Sequence, residues 1–163
     1  QLFEYPVAFM HGRQGFKLTP QERQNLRTYL ERGGVLVADA ICSNKDFDSA
    51  FRREIGALFP ERRLERLPSG HPLFTGELGG DDLGMLALRR PERGGASGAI
   101  RVRLEPTEPF LEGLAIDERY AVLYSQYDIS CALENHESLE CEGYTREDAA
   151  RLGLNMLVYA LQQ

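Results

Sequence analysis

The first third of the chain alternates continuous apolar runs with helical spacings. YPVAFMHG (residues 5–12) is apolar without alternation and ends in His11-Gly12, which predicts a short buried strand. Thr19 precedes Pro20, and Glu22 stands three residues after it. This is a capping box with proline at the first helical position, where its missing N–H costs nothing. Leu26, Tyr29 and Leu30 then form one apolar face, and Arg32 and Gly33 suit the end of the helix. Val35-Leu36-Val37-Ala38-Asp39 again runs without alternation, as a central strand of a parallel sheet does when both its faces are covered. Strand, helix and strand with short connections make a βαβ unit. Phe47, Phe51, Ile55 and Leu58 predict a second helix over residues 46–59, stopped by Pro60.

Residues 61–84 carry Pro68, Pro72 and several glycines, and read as loop with one short edge strand at 64–67. Residues 83–89 and 99–104, joined by the polar link RPERGGASG, predict a hairpin. In its second strand Ile100, Val102 and Leu104 alternate with Arg101, Arg103 and Glu105, giving one buried and one solvated face. Residues 120–124 predict another buried strand, leading into Ser125-Gln126-Tyr127-Asp128. Residues 129–144 read as a long loop. A last helix starts at Thr145, with Asp148 near its positive end. Ala149, Leu152, Met156, Leu157, Ala160 and Leu161 share a face that Leu154, Val158 and Tyr159 widen, so this helix is expected to be buried on most sides. The pattern predicts a single α/β domain over residues 1–163. Its sheet is three-layered and mainly parallel, flanked by helices, with a β-hairpin insertion.

Composition narrows the function classes. A chain of 163 residues suits one domain. The net charge of −6 argues against a general nucleic-acid binder, because phosphate contacts need clustered positive charge. No apolar run approaches the ~20 residues of a membrane span. The sequence opens on Gln1 without a leader pattern, so it reads as a processed or partial chain.

Ligands of parallel α/β sheets bind outside the carboxyl ends of the strands, where loops and helix N-termini gather. Three strand ends deliver reactive groups to that rim: His11 and Arg13; Asp39 and Cys42; Ser125 and Asp128, with Cys131 and His136 beyond. Each has a bland role as well. His11 can be an ordinary hydrogen-bonding residue, and Asp39 can cap a loop or helix. Cys42 can be packing, and Asp128 can order its own loop. Between a strand and a helix N-terminus, the Cys42 thiol would instead be acidified into a nucleophile. Three cysteines exclude a fully paired framework. Cys131 and Cys141 can pair in an oxidising compartment, or all three can stay free thiols. A zinc reading joins Cys131, His136 and Cys141, with Cys42 as a further ligand, although the spacing matches no strong signature. Phosphate-loop, dinucleotide and GxSxG patterns are absent, and no cofactor is called for. The run ENHESLECE reads as a solvated acidic loop.

The blocks YPVAFMHG, LTPQERQNLRTYLERGGVLVADA, FDSAFRREIGALFP, LPSGHPLF, LYSQYDISCALE and CEGYTREDAARLGLNMLVYAL, in this order, resemble the bacterial domain of unknown function 4159 (DUF4159). That family is similar to the class I glutamine amidotransferase-like superfamily, which implies a flavodoxin-like fold. It also implies export or a periplasmic setting, and further βα units ahead of the first strand. By the same resemblance, residues 35–43 correspond to the strand and nucleophile elbow of amidotransferases, with Cys42 near the nucleophile position. Ala40, Ile41, Ser43 and Asn44 disfavour a sharp strained turn there. Two functions are expected. The first is a non-enzymatic domain binding a small polar ligand or a protein partner, through His11, Arg13, Asp39, Ser125 and Asp128. The second is a cysteine hydrolase or amidotransferase-like enzyme, with Cys42 as nucleophile, His11 as base and Asp39 or Asp128 orienting it.

Overall fold

The fold is that of a computed structural model, which describes residues 2–94, 98–135 and 138–163. Strand β1 (Val7–Gly12), helix α1 (Pro20–Glu31) and strand β2 (Val35–Ala40) form the expected βαβ unit. The Thr19 capping box is complete, with both reciprocal hydrogen bonds made. Gly33 closes the helix at φ 105°, a value that side-chain-bearing residues rarely adopt. Helix α2 (Lys45–Leu58) follows a short 3₁₀ turn, and Asn44 caps it by accepting from the N–H groups of Asp46 and Phe47. β3 (Glu65–Arg66) and α3 (Pro72–Thr75) punctuate the middle region. β4 (Leu86–Gly94) and β5 (Ala99–Thr107) make the hairpin, longer than the sequence pattern suggests because most of the polar link continues the strands. Residues 95–97 of that link lie outside the described residues. β6 (Glu112–Ile116), β7 (Arg119–Ser125), α4 (Ser130–Leu133), β8 (Gly143–Tyr144) and α5 (Arg146–Leu161) complete the chain.

The main sheet runs β1-β2-β7-β6-β3. β1, β2 and β7 are mutually parallel, with His11 beside Asp39 and Asp39 beside Ser125. β6 pairs antiparallel to both β7 and β3. A second sheet, β5-β4-β8, is wholly antiparallel. The molecule is therefore mixed α/β with antiparallel pairings in the majority, which corrects the expectation of a mainly parallel sheet. The reason is the β6–β7 hairpin, turned at Asp117 with φ 55°. Its first strand is short and broken by Gly113, so it gives little periodic signal. Two further corrections concern residues 129–144 and β1. The former are not all loop, since they hold α4 and β8. β1 is half-exposed rather than buried: it is the edge of the sheet, and Phe9 is 54% exposed.

One sheet face buries Leu36, Ala38, Val122 and Tyr124 against α1 and α2. The other buries Val35, Val37 and Leu123 against α5, whose core residues are Ala149, Leu152, Met156 and Tyr159. This double coverage explains why β2 is buried at every position. No helix among the described residues is long and apolar enough to cross a membrane.

Candidate functional site

Because β1, β2 and β7 are parallel, their carboxyl ends share one edge of the sheet. Asp39, the fifth residue of β2, is fully buried there. Its Oδ2 accepts from the N–H of Ile129 at 3.1 Å, the N–H of Ser130 at 3.2 Å and the hydroxyl of Ser130 at 2.9 Å. The carboxylate thus ties the start of α4 to β2. Its Oδ1 is buried with no hydrogen-bond partner among the described residues. Burial raises the Asp39 pKa above the usual carboxylate value. The three donors oppose that shift, and the charge of Asp128 adds to it.

Asp128 is also buried. Its Oδ1 accepts from the Cys131 N–H at 2.9 Å, and its Oδ2 accepts from the Cys42 N–H. Its backbone carbonyl takes the Tyr144 N–H at 3.0 Å. A Cβ on Gly143 would lie 2.5 Å from the Asp128 Cβ, so only glycine admits this approach. Nothing in the sequence marks Gly143 as a contact point, and sequence reasoning misses it. Ser125 closes its own turn, donating to the Tyr127 carbonyl at 2.7 Å and accepting from the Tyr127 N–H. His11 and Arg13 reach the same edge but stay exposed. The His11 ring lies 5.3 Å from that of Phe9, and neither side chain hydrogen-bonds to Cys42, Asp39 or Asp128. The structure brings together Asp39, Asp128, Cys42 and the first turn of α4, and leaves His11 and Arg13 outside that network.

The cysteines depart from the sequence reading. Cys42 is bridged to Cys141, across 99 residues of chain, with a Cα separation of 4.3 Å. The Cys131–Cys141 pairing is therefore replaced: Cys131 is free and half-buried on α4. The turn that looks hard to build without glycine does form, since Cys42 and Ser43 both adopt φ 53°. The Cys42 N–H bond to Asp128, the bridge to Cys141 and the Asn44 cap hold it in place. The Cys131 thiol is pushed up to about 12 by burial and then by the neighbouring Asp128 carboxylate. Ligand atoms of Cys42, Asp128, Cys131 and Cys141 all lie within 4.8 Å of one another. His136, the other candidate zinc ligand, lies outside the described residues.

Across the sheet from α1 and α2, a cavity of about 430 Å³ opens between β1, β2 and α5. Phe9, Val37, Ile129, Met156 and Leu157 give it apolar walls, and Asp39 is its one ionisable group among the described residues. This corrects the expectation that α5 is buried on most sides: Leu154 and Leu157 are nearly half exposed. Gly153 also lines the cavity, and a Cβ there would meet the Ile129 and Leu133 side chains at 3.8 Å, ordinary van der Waals contact.

A family model described as a domain of unknown function, DUF4159, matches residues 1–161. The chain belongs to this family. No curated protein matches it. The match spans every element from β1 to α5, so the Asp39 cavity and the Cys42–Cys141 bridge both lie inside the DUF4159 domain.

Proposed function

We propose that this DUF4159 domain is a non-catalytic binding module. Its ligand is a small molecule with an apolar body and one hydrogen-bond-donating group. The body seats between β1, β2 and α5, and the donor meets Asp39. One observation carries this reading: Asp39, a fully buried carboxylate whose Oδ1 has no hydrogen-bond partner among the described residues, belongs to the lining of an otherwise apolar cavity. Buried polar groups are costly unless they are hydrogen-bonded, and binding pockets are apolar with a few placed polar groups. The volume of about 430 Å³ is in the range of small-molecule sites. The apolar walls move the expected ligand from polar to amphipathic. The cysteine-nucleophile reading needs a free Cys42 thiolate, whereas that sulfur is bonded to Cys141. Kinship with amidotransferase-like, flavodoxin-like domains is supported by three parallel strands with helices on both faces. Export to an oxidising compartment such as the periplasm is supported by the bridge.

Calorimetric titration with naphthylmethylamine, and with methylnaphthalene as its apolar match, tests the reading. The amine is expected to bind the wild type. Gly153→Leu, which fills the cavity, should abolish binding of both probes. Asp39→Asn should weaken the amine alone by about tenfold or more, the cost of losing a charge-assisted hydrogen bond. Absence of amine binding, or equal binding by wild type and a folded Gly153→Leu variant, sinks the proposal.

A further inference from the structure

We propose that, once its disulfide is reduced, this domain binds one zinc ion through the sulfurs of Cys42, Cys131 and Cys141 and a carboxylate oxygen of Asp128. The site is separate from the Asp39 cavity and does not rest on the ligand proposed for it.

The four donors come from three distant segments: the turn after β2, the loop and first turn of α4 after β7, and the approach to β8. Their ligand atoms already lie within 4.8 Å of one another. Tetrahedral zinc with sulfur and oxygen ligands holds its donors about 3.3–3.8 Å apart, so shifts of about 1 Å close the sphere. Three thiolates and a carboxylate are a donor set suited to structural zinc. Asp128 and Cys141 are buried, while Cys42 and Cys131 are partly open, which gives an ion a way in.

The disulfide does not by itself account for this convergence. It joins two of the three sulfurs and leaves Cys131 beside them. Asp128 assembles the group independently, since it takes the N–H of both Cys42 and Cys131. Its Oδ2 also lies 3.4 Å from the Cys141 sulfur, which carries no proton while bridged. A cation at the centre would give that oxygen and all three sulfurs a common partner.

Bridge and metal exclude each other, because zinc needs the thiolates. A dithiol reductant supplies the two electrons. Its thiolate attacks one sulfur of the bridge and forms a mixed disulfide while the other cysteine sulfur leaves. The second thiol of the reductant then displaces the first cysteine, giving a cyclic disulfide and two free cysteines. Zinc next replaces the protons of Cys42, Cys131 and Cys141, which pass to solvent.

The test compares oxidised and dithiol-reduced protein, kept free of oxygen and titrated with Co²⁺ and then Zn²⁺. The reduced chain should bind one ion, with sulfur-to-cobalt charge-transfer absorption and tetrahedral d–d bands that zinc then abolishes. The oxidised chain should bind none. Cys131→Ser keeps the bridge and so folds when oxidised. After reduction it should bind at least about 10- to 100-fold more weakly, as should Asp128→Asn, since losing a group that merely supports a ligand already reaches that size. Circular dichroism checks folding at each stage. The proposal is overturned if the reduced, folded wild type binds no ion at micromolar concentration. It also falls if cobalt binds without thiolate absorption, if Cys131→Ser binds as tightly as wild type, or if the bridge cannot be reduced while the chain stays folded.

Discussion

Asp39 shows how one residue can serve structure and site together. Its Oδ2 fastens α4 to β2, and its buried Oδ1 has no hydrogen-bond partner among the described residues. Burial raises its folded pKa above the unfolded value of about 3.9. As pH rises through that window, the unfolded chain loses this proton before the folded one does, so folding becomes less favourable. An asparagine side chain at this position has no proton to lose. The stability of Asp39→Asn relative to wild type should therefore grow as pH rises from about 4, and level off above the folded pKa. Urea unfolding at a series of pH values measures this; a difference that stays flat or shrinks contradicts it. The helix Asp39 holds, α4, lies 90 residues on in the chain, but the aspartate itself was legible in the sequence as a strand-end residue that can cap a loop or helix. Its unpaired oxygen was not, because that depends on packing against α5, more than a hundred residues away.

At the level of elements, the sequence is most legible where local rules act alone. The Thr19 capping box and the apolar faces of α1 and α2 follow from spacing within a single turn or two. Helix α2 carries one local cost, the exposed Gly56 in its interior, where an added Cβ meets nothing within 4 Å. Gly56→Ala should stabilise the fold by about 0.5–1 kcal/mol, the usual difference between the two residues inside a helix. Thermal or urea unfolding would register this as a raised midpoint, and a lowered midpoint would mean that Gly56 has a contact of its own. Strands were harder to read than helices. β6 is five residues long and includes Gly113, where a Cβ would meet the Tyr120 ring at 2.4 Å. Its glycine is required by a neighbour across the hairpin, yet in the sequence it looks like a strand breaker.

For the molecule as a whole, the Cys42–Cys141 bridge fixes the turn after β2 to the approach to β8, linking the two sheets. A loop of about 100 residues loses enough unfolded-state entropy on closure to stabilise the fold by about 4–5 kcal/mol. Reduction in the presence of a chelator, or a Cys42→Ser, Cys141→Ser double variant, should lower unfolding stability by up to that amount. Unchanged stability on reduction would mean that the bridge contributes nothing to the fold.

The sequence by itself determined the βαβ start, the extents of α1, α2 and α5 to within a residue or two, the presence of the hairpin and the residues delivered to the strand ends, because spacing, capping and turn chemistry act over a few residues. Only the tertiary structure decided the strand order, the antiparallel majority and the pairing of the cysteines. Cys141 is ten residues from Cys131 and ninety-nine from Cys42, yet it bonds to the distant one. Sequence distance says little about which sulfurs meet when β2, β7 and β8 set the positions of the turns that carry them. The same holds for the apolar cavity: its walls come from β1, β2, α4 and α5, and no one segment contains enough of it to be recognised.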